Sequence, residues 1–271
     1  MPEISESIRC FAEEPDRMVV EPLPPLRRIQ REAFTVILSP MPTMSNVSGV
    51  RTTERELDAT IAEARGVVRG AGYTRTVWNV GPSSRPANLA TLLAERGFVP
   101  ATQPPFEPQV TAMALIHPPP AAPAEVETRA VRTFEEYLEA WYIAIEAFNE
   151  SEEDAAGWLA AAPALWAQQD GVERLSYLAF LEGIPVGFAF ALAGAADGLL
   201  LGGSGVRVAA RGKGVYRALL AGRWDDAVRL GRPALVIQAG AMSRPILERC
   251  GFETICRLTI WEDPAISAPS R

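Results

Sequence analysis

The chain has 271 residues, 48% of them hydrophobic, so it is long enough to form two domains with sizeable cores. Its formal net charge of −7 argues against nucleic-acid binding through bulk electrostatics. The three cysteines match neither a disulfide framework nor the ligand spacing of a metal site. The longest apolar run, residues 184–196, is too short to span a bilayer. We therefore expect a cytoplasmic protein with no metal, nucleic-acid or membrane partner.

The first half of the chain predicts a short alternation of helices and strands. Residues 1–50 predict no regular element, because prolines at 22–25 and 40–42 break any helix there. Thr53 to Glu56 has the pattern of a capping box, which predicts a helix ending near Gly70. A strand over 75–80, a helix over 86–96 and a strand over 111–116 are predicted after it.

A proline-rich segment, His117–Pro123, predicts a semi-rigid linker. We accordingly divide the chain into an N-terminal domain (1–118), a linker (119–124) and a C-terminal domain (125–271). His117 is the only histidine, and we interpret it as a solvated linker residue. This removes the commonest general base from the expected chemistry.

The second half predicts a mixed α/β domain (α+β, with a mixed sheet). Strands are predicted over 125–131, 174–181, 184–194, 198–208 and 234–239, and helices over 133–148, 151–168, from 215 onward and over 242–249.

One stretch in this half predicts an anion site. After the strand that ends near Val206, glycines 212 and 214 precede a helix that starts at Val215. Free N–H groups and the helix dipole favour negative charge at such a start, and Arg211, Lys213 and Arg217 add cations. A pyrophosphate fits this pattern. The alternative is an ordinary basic surface turn.

Two common nucleotide loops do not match this stretch. A Walker A loop needs Ser or Thr directly after its lysine, whereas Gly214 follows Lys213. A dinucleotide fingerprint needs a third glycine, where this chain has Arg217.

The stretch resembles the pyrophosphate loop of the GNAT superfamily of N-acetyltransferases, Q/R-x-x-G-x-G/A. Arg211 and Gly214 match that motif, and Val206 matches the valine that precedes it. The chain departs from the family at Val208, where proline is usual, and at Tyr216, where a small residue is usual.

A second segment supports the resemblance, which covers about residues 125–265. Gly251-Phe252 matches the end of the family's later motif, and Ser243 occupies its small-residue position. Gly240 replaces the usual asparagine and Leu247 the tyrosine that commonly acts as general acid.

The resemblance implies a site for acetyl-CoA as the acyl donor. The pantetheine arm is expected at the glycine-rich strand end and the pyrophosphate at the loop. The implied cofactor-binding residues are Ser204, Gly205, Val206, Arg207, Val208, Arg211, Gly212, Lys213, Gly214, Val215, Tyr216 and Ser243. The alternative for the glycine-rich strand is that it packs against a helix.

The acceptor is expected to be a small-molecule or peptide amine, contacted by residues 141–149. The candidates are Trp141, Tyr142, Glu146 and Asn149, although the two aromatic residues could simply face the core. The strand at 198–208 has no carboxylate to act as base, so Glu146, Glu150 and Asp197 are substitutes for the base, and Tyr216 is a candidate acid. The implied function is N-acetyl transfer; the alternative is a non-catalytic acyl-CoA sensor.

The N-terminal half echoes the C-terminal one. The segment 81–86 followed by Gly97-Phe98 is similar to 240–245 followed by Gly251-Phe252. Because the first half has no counterpart to residues 211–214, we interpret it as a degenerate repeat, in a tandem GNAT-like arrangement, that binds no cofactor.

Overall fold

The computed structural model describes residues 3–18, 26–40, 43–167, 174–193 and 197–267. Its helices are α1 (Glu6–Glu13), α2 (Pro15–Met18), α3 (Leu57–Gly70), α4 (Leu89–Glu95), α5 (Phe134–Phe148), α6 (Glu152–Ala167), α7 (Val215–Arg229), α8 (Arg244–Arg249) and α9 (Pro264–Ser267). Its strands are β1 (Arg27–Gln30), β2 (Thr35–Leu38), β3 (Ser45–Ser48), β4 (Val77–Val80), β5 (Val99–Pro100), β6 (Gln109–Leu115), β7 (Val126–Ala130), β8 (Arg174–Leu181), β9 (Ile184–Ala193), β10 (Leu199–Val206), β11 (Leu235–Ala239) and β12 (Glu253–Glu262). The predicted end of α6 at Gln168 lies outside the described residues.

A single mixed sheet runs through the described chain, which confirms the predicted α/β class. Its strand order is β1-β2-β3-β4-β12-β6-β11-β10-β9-β8-β7, with β5 beside β12. Neighbouring strands are antiparallel except β3 with β4 and β10 with β11. A helix connects the strands of each parallel pair, α3 in the first half and α7 in the second. The sheet therefore repeats one arrangement on either side of its centre.

The centre of the sheet is an exchange of strands between the halves. Strand β6 precedes the linker, yet it lies between β11 and β12 of the second half. Strand β12 in turn lies between β6 and β4. The domain division at 118 and 125 stays a prediction. Backbone hydrogen bonds link strands from before and after it, in the pairs β6–β11, β6–β12 and β4–β12.

The first 50 residues form regular structure that their prolines did not indicate. Ser5 begins α1 by accepting the Ile8 N–H through its hydroxyl at 3.3 Å. The helix buries Ile8 and Phe11 against the central strands, where they pack with Ala112 and Val236. The short strands β1 to β3 then extend the sheet.

The two faces of the sheet carry different helices. Leu235 packs with α7 and α8, whereas the next residue, Val236, packs with α1. Helices α5 and α6 pack on Phe188 and Phe190. Strand register places these phenylalanines on the same face as Val236. We call this side the α5 face and the opposite side the α7 face.

A buried ion pair joins the two halves. Asp263, just after β12, is fully buried and accepts hydrogen bonds from Nε and Nη2 of Arg65 on α3, at 2.7 and 2.8 Å. These hydrogen bonds raise the pKa of Arg65. Its guanidinium also lies 5.5 Å from the ring centre of Phe98.

We expect Arg65→Met to destabilise the protein by about 3 kcal/mol or more, because it leaves the buried Asp263 carboxylate without its partner. The matched control is Arg96→Met, which breaks the surface pair with Asp58 and should cost less than about 1 kcal/mol. Equilibrium denaturation by urea measures both changes. Equal losses of unfolding free energy in the two variants would contradict the conclusion that the Arg65–Asp263 pair stabilises the junction of the two halves.

Candidate functional site

The sheet opens between β10 and β11. The last pair of their parallel ladder is Leu200–Val236, although both strands continue beyond it. On its other side, β10 shifts register against β9 between Leu201 and Ser204. The bulge and the divergence lie at the glycine-rich end of β10, where the family resemblance implies the pantetheine arm. Strand edges that do not pair with each other can hydrogen-bond an extended ligand between them.

The glycine loop leads from β10 to the start of α7. A 3-10 turn over Val208–Ala210 is followed by Gly212 and Gly214, with φ of +80° and +76°. These angles lie in the left-handed region that favours glycine. No side chain caps the start of α7, so its first N–H groups remain available to an anion.

Cationic side chains surround this helix start. Arg211, Lys213 and Arg217 are all exposed. Arg211 bends back towards the strand end, where it donates to the main-chain oxygens of Val206 at 3.3 Å and Ala147 at 3.2 Å. The loop is thus electropositive, and one of its cations also holds the end of α5.

Arg207 faces α5 rather than the loop. Its guanidinium forms ion pairs with Glu139 and Glu146, which lie two turns apart on one side of that helix. Glu146 also accepts the Val208 N–H at 3.3 Å. The carboxylate therefore joins α5 to the loop, and both of its oxygens are engaged.

Other residues of the protein lie close to two of the glycines that are predicted to contact the cofactor. A side chain at Gly205 would place its Cβ 2.6 Å from the Cβ of Ala147, so the end of α5 packs directly on β10. A Cβ at Gly214 would lie 2.4 Å from Cγ of Pro123 in the linker. The alternative interpretation of the glycine-rich strand, packing against a helix, thus describes Gly205. The contact of Pro123 had no signal in the sequence.

The residues predicted around the thioester differ in exposure. Tyr216 is half-buried, with its ring centre 5.8 Å from the guanidinium carbon of Arg223 further along α7. Ser243 directly precedes α8, and its hydroxyl donates to the Gly240 carbonyl at 3.3 Å. Leu247 is fully buried in the core of the α7 face.

Of the predicted acceptor residues, Tyr142, Glu146 and Asn149 follow one side of α5 at helical spacing, and Trp141 lies apart from them. Trp141 is buried and stacks on Trp158 with ring centres 4.8 Å apart, so it belongs to the core. Tyr142 is half exposed, and Asn149 ends α5 in the left-handed conformation. Glu150 follows directly, and burial together with nearby Asp154 raises the pKa of its carboxyl group.

Solved structures share this architecture over nearly the whole chain. A GCN5-related N-acetyltransferase from Kribbella flavida has a TM-score of 0.69 and 19% identity, with 97% of each chain covered. A tandem GNAT protein from the clavulanic acid biosynthesis pathway has a TM-score of 0.63 and 17% identity, with 97% of this chain and 89% of that chain covered. The fold is that of the GCN5-related N-acetyltransferases.

A third GNAT structure agrees. The GCN5-related N-acetyltransferase from Sphaerobacter thermophilus has a TM-score of 0.62 and 18% identity over 85% of this chain and 76% of that chain. No family model and no curated protein matches the sequence. At these identities the likeness establishes the GNAT fold, including its tandem form, and leaves the residues of the site to be argued from their geometry.

Two further features bear on the site. Within the described ranges, no three His, Cys, Asp or Glu side chains are grouped so that they could hold a metal ion. None of the helices in the same ranges combines the length and apolar character needed to cross a membrane.

We expect Leu247→Phe to lower the free energy of unfolding by about 1–3 kcal/mol, because the larger ring must enter a filled core. If the protein acetylates an amine, the pH profile of turnover should keep its shape, since neither side chain can donate a proton. Urea denaturation and initial rates across pH measure the two effects. A displaced acidic or basic limb would contradict this assignment.

Proposed function

We propose that the protein is an acyl-CoA-dependent N-acyltransferase that transfers acetyl from acetyl-CoA to a small-molecule or peptide amine. One observation carries the proposal: the parallel ladder of β10 and β11 ends after Leu200–Val236, and β10 leads directly into a glycine turn and an uncapped helix start. An extended arm with a phosphate at one end fits that combination. Free cysteines at 10, 250 and 256 suit the reducing cytoplasm, where we place the enzyme.

The cofactor contacts follow from this arrangement. The pantetheine arm lies along Ser204–Val206, where β10 has left β11. The pyrophosphate lies at the N–H groups of residues 212–216, with Arg211, Lys213 and Arg217 as the cations around the loop. Ser243, directly before α8, is the last of the proposed contacts. Main-chain N–H groups near Ser204 polarise the thioester carbonyl.

Transfer then proceeds by direct attack. The neutral amine nitrogen forms a bond to the acyl carbon, the C–S bond breaks, and the sulfur leaves with its electron pair as the CoA thiolate. The proton lost by the nitrogen goes to a base and the thiolate is protonated from solvent. Among the carboxylates at the end of α5, we assign the base to Glu150, which follows Ala147, the residue packed on Gly205 of β10, by three positions; burial also raises the pKa of its carboxyl group. Glu146 is held by Arg207 and Val208.

A non-catalytic acyl-CoA sensor is the second candidate. Leu247 favours this candidate, because a buried leucine side chain occupies the position where the family has the tyrosine that acts as general acid. Release of free CoA thiol in the presence of amines separates the two functions. Thiol release that depends on an amine supports the enzyme, whereas tight binding of acetyl-CoA without release supports the sensor.

We expect Arg211→Glu to weaken acetyl-CoA binding by about tenfold or more, since it replaces a cation beside the pyrophosphate by a like charge. Arg257→Glu is the matched control, an exposed charge reversal on β12 that should leave affinity unchanged. Isothermal titration calorimetry of the full chain measures both. The proposal fails if Arg211→Glu binds acetyl-CoA as wild type does.

We also expect one acetyl-CoA per chain. The helix start of the first half, ahead of α3, presents Glu54, Glu56 and Asp58 around a single cation, Arg55, and the Glu56 N–H is taken by the Thr53 hydroxyl at 3.3 Å. Negative charge there repels a pyrophosphate. Equilibrium dialysis with labelled acetyl-CoA gives the stoichiometry. A value near two would show that the first half is not degenerate. The full chain must be used, because β6 pairs within the second half.

A further inference from the structure

Arg223 on α7 is a buried cation without a counter-ion among the described residues. The side chain is 0% exposed, and its Nε donates to the main-chain oxygen of Leu219 at 3.1 Å, one turn back towards the start of the helix. Neither Nη1 nor Nη2 has a hydrogen-bond partner in the part of the chain that the structure describes. Burial lowers the pKa of the guanidinium, because desolvation disfavours its charged form. A buried charge of this kind is costly, so the position suits an anion from outside the chain.

The contacts of α7 place Arg223 over β10. Three residues of the helix contact successive strands of the sheet in the order β7, β8 and β9: Gly222 against Thr128, Asp226 hydrogen-bonded to Tyr177, and Leu219 against Gly187. At about 100° per residue, each of the three lies further around the helix than the one before. Arg223 lies about 40° beyond Leu219 in the same direction. It therefore faces the next strand, β10, on the side where β10 separates from β11.

The guanidinium also lies at the depth of the proposed thioester site. Gly187 of β9 is close to Leu219 and pairs with Val206 of β10. Helix α7 runs back along β10, and one turn beyond Leu219, about 5–6 Å, corresponds to about two strand residues. Arg223 is therefore near Ser204, and its hydrogen bond to the Leu219 main chain turns the guanidinium back towards the opening. This is the segment along which the proposed function places the pantetheine arm.

Within the described chain, the side chains packed around the guanidinium do not neutralise it. The ring centre of Tyr216 lies 5.8 Å from its central carbon, and Tyr177 and Cys250 are the other titratable groups that face it. Burial raises the pKa of both Tyr177 and Cys250, so neither is charged at neutral pH. The Asp226 carboxylate accepts hydrogen bonds from Tyr177 and Arg229 instead. The positive charge is thus left for a ligand.

We propose that Arg223 is a catalytic residue that holds the CoA thiolate as it leaves the acyl group. The proposal rests on the proposed N-acyltransferase function and adds a residue to its site. The amine nitrogen bonds to the acyl carbon, the C–S bond breaks, and the sulfur keeps the electron pair and accepts hydrogen bonds from Nη1 and Nη2. The amine proton passes to Glu150, and the thiolate takes a proton from solvent on release. Leu247 cannot protonate the sulfur as the family's tyrosine does, so a fixed positive charge takes the place of that proton.

The test titrates the thiol of CoA bound to the full chain, followed by the ultraviolet absorbance of its thiolate. Desulfo-CoA, which lacks the sulfur, gives the background of the protein's own groups. The bound thiol should titrate at least about one pH unit lower in wild type than in Arg223→Met, since an adjacent cation favours the thiolate. Arg223→Lys should keep part of that shift, because lysine retains the charge. The loop cations and Glu150 are the same in every variant, so their effects on the thiol cancel in the comparison.

Calorimetry measures the same interaction as an affinity. At a pH above the wild-type midpoint of the bound thiol, Arg223→Met should weaken CoA binding by about tenfold or more and leave desulfo-CoA binding unchanged. Arg229→Met is the matched control on the same helix, an exposed arginine that should behave as wild type in both measurements. Without ligand, Arg223→Met should have a thermal midpoint at least as high as wild type, because methionine removes an unpaired buried charge. A merely structural role for Arg223 would not move the thiol titration.

The outcomes keep this proposal apart from the function on which it rests. If wild type and Arg223→Met both bind CoA and its thiol titrates equally in the two, the role of Arg223 alone is refuted. Equal losses of CoA and desulfo-CoA affinity also refute it, because the guanidinium then contacts another part of the cofactor. A thiol shift that depends on Arg223, without amine-dependent thiol release from acetyl-CoA, refutes the transferase and leaves the thiolate site standing. Failure of wild type to bind either ligand refutes both proposals.

Discussion

The antiparallel pairing of β6 with β12 is the constraint on which the rest of the structure depends. Each strand belongs by sequence to one half and completes the sheet of the other. Neither half can therefore satisfy its central backbone groups alone, since an unpaired buried N–H or C=O is costly. The buried pair of Asp263 with Arg65 reinforces the same junction from the end of β12. The linker between the halves consequently packs against the protein, with Pro123 on Gly214, rather than separating two independent bodies.

The sequence predicted local elements well and long-range partners poorly. The strand over 174–181 and the helix starting at Val215 agree with the structure because period and turn chemistry are written within each segment. The insertion of β6 between β11 and β12 leaves no such trace, since a strand in either place needs the same alternation. Helix α1 was not predicted for the same reason. Ser5 caps it locally, but a helix this short is stable only because its apolar side packs on the central sheet, which the sequence does not show.

In the candidate site, too, local features were predictable from the sequence and long-range contacts were not. Glycines at 212 and 214 predicted the turn and the helix start, because positive φ values are a local property. The partner of Arg207 was not predictable from the loop itself, yet Glu139 and Glu146 at heptad spacing on α5 form one acidic stripe that meets it. Trp141 shows the opposite limit. An aromatic residue on an amphipathic helix can pack in the core or contact a ligand, and the sequence is the same in both cases. The stacking of Trp141 on Trp158 in the structure decides for the core.

The repeat within the sheet gives the two halves comparable positions that differ in charge. After β10, the loop presents Arg211 and Lys213 at a helix start. After β3, the equivalent approach to α3 presents Glu54 and Glu56 with Arg55 between them. On our proposal the anionic donor binds at the cationic helix start of the second half, and the exchanged strands hold the two halves at one fixed spacing. A transferase needs that rigidity, because its rate depends on two reactants meeting in one geometry. On the same proposal the first half binds no cofactor but is still needed, because its β6 completes the sheet of the second half.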